Sequence, residues 1–104
     1  MDAVELHAYL QSKPATAPQL LDVREPWEFE KCRLDGSVLV PMRQIPQAMQ
    51  DLDQDQEIVV ICHHGIRSRA VAAYLANNDF SHVINLSGGI DEWAKRVDPA
   101  MPTY

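Results

Sequence analysis

The sequence predicts a compact α/β fold built around a parallel sheet, and three observations carry that reading. Short apolar runs with strand character alternate with segments of helical spacing along the chain. The run Ile58–Cys62 is continuously apolar, as befits a central parallel strand covered on both faces. The chain has 104 residues, 46% apolar and 23% charged, enough for one modest core without room for a second. The expected organisation is a single domain over residues 1–104, with a core over about 4–97 and a short tail.

The elements follow in order. Residues 3–11 set Val4, Leu6, Tyr9 and Leu10 among polar residues, the spacing of a short amphipathic helix that Asp2 or Glu5 suits at its start. Residues 13–18 form a turn. Residues 19–23 read as a buried strand, broken by Arg24-Glu25-Pro26. Pro26 fits the first turn of a helix that Trp27, Phe29 and Glu30 continue. Asp35-Gly36 signals a turn before a second strand over 37–40, closed by Pro41. Met42, Ile45, Met49 and Leu52 recur at roughly helical spacing over 42–52, with Pro46 near the helix start. A polar loop leads into the strand over 57–62. After the short loop His63–Arg67, residues 68–77 predict a helix with Ala70, Val71, Ala73, Tyr74 and Leu75 on its buried side and Ser68 as its cap. Residues 83–86 read as a fourth strand. Gly88-Gly89 turns the chain into a last helix around 90–97, and Pro99 and Pro102 punctuate the tail.

Nine basic and fifteen acidic residues give a net charge of −6, which argues against nucleic acid as a partner. No run approaches the roughly 20 apolar residues needed to span a membrane. The segment Met1–Glu5 is acidic and lacks the positive region of a secretory signal, so the expected location is cytoplasmic. Two cysteines, Cys32 and Cys62, do not make a disulfide scaffold, and with four histidines they show no zinc-ligand spacing. Two free thiols, no metal and no organic cofactor are therefore expected.

Against this acidic background, Arg67 and Arg69 flank Ser68 just after His63 and His64. The arrangement is strand, cysteine, tight loop, helix. Such a loop turns backbone N–H groups toward the sulfur, and the following helix presents its positive end there. Both effects favour a thiolate and stabilise negative charge on a group attached to it. Gly65 permits close backbone approach or a positive φ. Arg67 is suited to hold an anion by a bidentate contact. A lone cysteine ending a buried strand is often only a small core residue, but the run Cys62-His63-His64-Gly65-Ile66-Arg67-Ser68 is not a common packing device.

These residues resemble the active-site loop of the single-domain rhodanese sulfurtransferases. Three further blocks resemble the same family in the same order: Leu21-Asp22-Val23-Arg24-Glu25 with Trp27-Glu28-Phe29, Gly36-Ser37 through Pro41, and Leu86-Ser87-Gly88-Gly89-Ile90-Asp91-Glu92-Trp93. The likeness covers about residues 4–97. It implies a rhodanese-like three-layer α/β/α fold with a small parallel central sheet. It further implies that Cys62 is the nucleophile that becomes a persulfide, with His63, His64, Gly65, Ile66 and Arg67 forming the substrate-binding loop. Asp22 would brace that loop through hydrogen bonds or an ion pair with an arginine, Arg24 would bind or brace at its rim, and Ser68 would support it. The spacing here is Cys-x4-Arg. Related folds that act on phosphate or arsenate use a longer Cys-x5-Arg loop, and the shorter one leaves less room for a tetrahedral anion. The chain departs from the family where Arg33-Leu34-Asp35-Gly36 replaces the common Gly-His-Ile approach to the second strand.

The function so implied is that of a thiosulfate sulfurtransferase. It would move sulfane sulfur from a small anionic donor through Cys62 to cyanide, a thiol or a protein acceptor. The alternative is a dedicated protein-persulfide carrier or interaction module with poor thiosulfate turnover, suggested by Ile66 if it points outward beside the cysteine. Among the remaining residues, His63 and His64 are expected to shape the loop, and His7 and His82 to lie on the surface. Trp27, Phe29 and Trp93 are expected to pack internally. Cys32 is not expected to act as a resolving thiol.

Overall fold

Strand β1 (Gln19–Asp22) runs parallel to β3 (Ile58–Ile61), with Leu21 opposite Val60 and Asp22 opposite Ile61. In the computed structural model, which describes residues 1–104, these two strands form the centre of a four-stranded, wholly parallel sheet. Strand β2 (Val38–Leu39) flanks β1 and β4 (Val83–Asn85) flanks β3, so the spatial order is β2-β1-β3-β4. The chain leaves β1 toward one edge and later returns to β3 on the other side. The carboxyl ends of β1 and β3 therefore meet at a topological switch point, where ligands of open α/β sheets bind.

Side-chain alternation along the strands builds two cores. Leu20, Val59 and Ile61 face α1 (Ala3–Gln11) and α5 (Gly89–Arg96), meeting Ala3, Leu6, Ile90 and Trp93. Leu21, Ile58, Val60 and Cys62 face the other way, against Ile45 of α3 (Ile45–Ala48) and Val71, Ala72 and Leu75 of α4 (Ile66–Ala76). The result is the expected three-layer α/β/α arrangement with a small parallel central sheet. The remaining helix, α2 (Pro26–Lys31), connects β1 to β2. Helix α1 starts on a capping box in which Asp2 accepts from the Glu5 N–H and Glu5 accepts from the Asp2 N–H. No helix is long and apolar enough to cross a membrane.

Three elements differ from the sequence reading. The helix expected over 42–52 is broken into the short α3 between 3-10 turns at Met42–Gln44 and Met49–Asp51. The second strand keeps only two residues, as an edge strand with one neighbour. Helix α4 begins at Ile66, because Gly65 at φ +94° is its N-cap. Ser68 therefore lies within the first turn and caps nothing.

Candidate active site

Cys62 follows the last residue of β3 and is only 1% exposed. Two backbone donors reach its sulfur: the N–H of Gly65 at 3.1 Å and that of Ser68 at 3.3 Å. The first comes from the turn and the second from the first turn of α4, so turn and helix start converge on one atom. The Ser68 hydroxyl lies 3.3 Å from the same sulfur, accepts its S–H and donates onward to Oδ1 of Asn85 at the end of β4. A hydroxyl can rotate, so the same group can donate to sulfur when the thiol has lost its proton. Two backbone N–H groups thus turn toward the sulfur, one from the loop and one from the buried Ser68 just beyond it.

The loop is held from behind by α5. Ile90 N–H donates to the Cys62 carbonyl at 2.9 Å, and Asp91 N–H to the His63 carbonyl at 3.0 Å. These bonds tie the loop carbonyls to the start of α5. They also bring the backbones so close that a Cβ at Gly89 would lie 2.5 Å from both carbonyl oxygens, and Gly89 sits at φ +61°. The Gly88-Gly89 pair is the packing seat of the cysteine loop.

Arg67 does not stand free to receive an anion. Its guanidinium, 35% exposed, makes two bonds of 2.7 and 2.8 Å to the carboxylate of Glu28 in α2. The Glu28 carboxyl is held down to about 2, chiefly by those bonds and against the effect of burial. Glu28 also accepts from the Tyr104 hydroxyl at 2.8 Å and from the Glu25 N–H at 3.0 Å. Tyr104 in turn accepts from Arg24 Nη1 at 2.9 Å. Burial and the Glu28 carboxylate push its phenol up to about 12, although Arg24 opposes that shift, so it stays a donor at neutral pH.

Arg24 is not at the rim. It is wholly buried, because its donors find internal partners: both oxygens of Asp22 and the carbonyls of Glu28 and Cys32. Burial disfavours its charge, but the bonds to Asp22 and Tyr104 outweigh that and keep it firmly protonated. Asp22 accordingly spends its carboxylate on Arg24 rather than on the loop arginine. An unbroken chain runs from Asp22 through Arg24, Tyr104 and Glu28 to Arg67.

His63 stacks between His64, at 3.9 Å, and the Tyr104 ring, at 3.8 Å. Burial, then the neighbouring His64, lowers the tendency of His63 to protonate. With Asp91 the two histidines form a cluster whose donor atoms lie within 4.8 Å. Rings stacked at 29° cannot both aim an in-plane lone pair at one ion at the usual ~2.0–2.1 Å, so the pair is a poor chelate. Ile66 points outward at 73% exposed. Trp27, expected inside, is exposed, and it is Glu28 that α2 turns inward to reach Arg67. Trp93 is buried as expected, and His7 and His82 are exposed. Cys32 is buried in the α1–α5 core, on the opposite face of the sheet from Cys62. A groove of about 510 Å³ opens beside Arg67, lined by Val23, Glu25, Met42, Arg43 and Pro46.

A family model described as "Rhodanese-like domain" matches residues 2–96. The chain belongs to the rhodanese-like family. A rhodanese-like domain protein from Staphylococcus aureus superposes with a TM-score of 0.83 at 25% identity, covering 100% of this chain and 96% of that one. In sequence, this rhodanese-like chain is 38% identical over 105 residues to the chloroplastic rhodanese-like/PpiC domain-containing protein 12 of Arabidopsis thaliana, covering 96% of this chain and 35% of that protein. It is 36% identical over 80 residues to a sulfurtransferase of Allochromatium vinosum, covering 77% and 75%. The chain spans between 24% and 35% of the length of the first curated relatives it matches. The chain has the rhodanese fold, with a buried cysteine beside a serine just past the end of β3.

Glu28, Asn85 and Tyr104 were not singled out from the sequence. Glu28 had one signal, its position three residues after Glu25 at a helix start. Asn85 is a polar residue ending an apolar strand. Tyr104 had none, since its partners are far away in the chain.

Proposed function

We propose that the protein is a sulfurtransferase that carries sulfane sulfur on Cys62, with thiosulfate as a donor and cyanide, a thiol or a protein as acceptor. The observation that supports this most is the Cys62 sulfur itself, sequestered at a strand end with two backbone N–H groups and a hydroxyl aimed at it. In the first step the Cys62 thiolate attacks the outer sulfur of thiosulfate. A new S–S bond forms, the S–S bond of the donor breaks, and sulfite leaves with the bonding pair. The Gly65 and Ser68 N–H donors at the Cys62 sulfur would help to stabilise the charge of the persulfide. In the second step cyanide attacks that terminal sulfur, thiocyanate departs and the Cys62 thiolate returns. Neither step draws an electron from outside, and no metal or cofactor is needed. His63, His64, Gly65, Ile66 and Arg67 form the loop at the mouth, Ser68 supports the sulfur, and Asp22 and Arg24 brace the loop from within.

Intact-protein mass after brief thiosulfate exposure tests this reading. We expect the mass of one added sulfur atom, removed by cyanide and absent in Cys62→Ala. No gain from any sulfane donor would refute it.

A second reading, a dedicated carrier of protein persulfide, is favoured by two observations: the outward Ile66 beside the loop and the pairing of Arg67 with Glu28. Loading of Cys62 by a persulfidated protein but not by thiosulfate would select it.

A further inference from the structure

Both arginines that line the groove beside the cysteine loop are neutralised. Arg67 is held by Glu28 through two bonds, and Arg43 is paired with Glu25. Arg69, the other arginine of α4, is exposed, makes no ion pair and does not line the groove. The Glu28–Arg67 pair is no loose surface contact. The Glu28 side chain is buried, and the Tyr104 hydroxyl, anchored by wholly buried Arg24, donates to it. The Tyr104 ring lies flat on His63, one residue from Cys62, and its edge meets Trp27. The segment carrying Tyr104 thus fixes the charge at the mouth of the site.

We propose that Glu28, held in place by Tyr104, is a specificity-determining residue that cancels the positive charge of Arg67 and sets the site against doubly charged sulfur donors. The inference rests on the sulfurtransferase reading and deepens it. Placed across the mouth, an uncompensated Arg67 would favour a dianion such as thiosulfate. The closed pair removes that advantage and leaves recognition to the two backbone donors and the outward Ile66, which suits singly charged or uncharged sulfane donors. A donor attached to a protein is one such case.

The test compares two donors that deliver sulfur by the same displacement. Thiosulfate carries two negative charges and releases sulfite. Methanethiosulfonate carries one and releases methanesulfinate. With cyanide as the common acceptor, the ratio of their kcat/KM values reads charge preference and is insensitive to a general loss of active protein. Glu28→Gln is expected to shift the ratio toward thiosulfate by roughly fivefold, the scale of one partly screened charge at close range. Tyr104→Phe keeps the ring on His63 but removes the bond to Glu28, and is expected to shift the ratio the same way by about twofold. Adding Arg67→Ala to Glu28→Gln is expected to return the ratio to the wild-type value. An unchanged ratio in folded Glu28→Gln, or one moved toward methanethiosulfonate, would overturn the proposal and leave Glu28 as a support for loop geometry. If Glu28→Gln does not fold, Tyr104→Phe decides by the same criterion. Wild-type protein that takes sulfur from neither donor nor from a persulfide would overturn the sulfurtransferase reading and this inference with it. Turnover of both donors with an unmoved ratio would overturn this inference alone.

Discussion

Two constructions meet at Cys62, and they are built differently. The cradle under the sulfur is made almost wholly of backbone: the N–H groups of Gly65 and Ser68 in front, and Ile90 and Asp91 holding the loop carbonyls from behind. The clamp that reaches from the interior to the loop is made of side chains, Asp22, Arg24, Tyr104, Glu28 and Arg67, drawn from β1 and the turn after it, α2, the tail and α4. Backbone donors do not depend on side-chain identity and tolerate almost no displacement. Side-chain donors can be exchanged one at a time. The cradle is thus suited to fix the chemistry, and the clamp to anchor the fold and tune what approaches.

The largest effect is expected at the root of the clamp. Arg24→Met leaves the Asp22 carboxylate buried without its partner and should destabilise the fold by about 3–5 kcal/mol in denaturant titration. Protein that is still folded should nonetheless load sulfur on Cys62. Complete loss of loading in folded Arg24→Met would erase the division between the two constructions.

Gly89→Ala comes next. It forces a Cβ into the Cys62 and His63 carbonyls at a left-handed position, and should cost about 2–4 kcal/mol. Here the folded fraction should also load poorly, because the cradle itself is displaced. Normal loading would mean that the loop tolerates being pushed forward.

Acid sharpens the contrast. The Glu28 carboxyl sits at about 2 in the fold against an ordinary value of 4.5. Its lowered value gives stability that is present above about 4.5 and drains away as pH falls toward 2. His63 resists protonation in the fold, so acidification below the usual histidine range weakens the protein in the same direction. The melting temperature should fall from pH 6 to pH 3, and Glu28→Gln should flatten the lower part of that slope. An unchanged slope would remove Glu28 from the account of acid stability.

The smallest effect is expected at Trp27. It is exposed, with an edge contact to Tyr104, so Trp27→Ala should shift stability by no more than about 0.5–1.5 kcal/mol. A larger loss would show that the tail depends on Trp27 more than on its bond to Glu28.

The same division explains what could be read from the chain. Local features were legible: the apolar run ending in Cys62, the Gly65 turn and the helix that follows. Their physics lies within a few residues. Ser68 reads as a cap because both serine and glycine start helices, and only the positive φ at Gly65 decides between them. Arg67 reads as an anion binder until Glu28, 39 residues away, is seen to occupy it. Trp27 reads as inside by hydrophobicity, yet it is exposed, and α2 turns Glu28 inward to the ion pair instead. Tyr104 reaches Glu28 across 76 residues, and nothing near it in the chain foretells that.

The placing of the two thiols on opposite faces of the sheet has a chemical consequence. A persulfide within reach of a free thiol collapses to a disulfide and expels hydrogen sulfide, wasting the cargo. Here the central strands stand between Cys62 and Cys32 as an insulating wall, each thiol set in its own core. On the proposed function, a sulfur loaded on Cys62 would be shielded from self-quenching, and its lifetime would be set by what arrives at the open end of the sheet.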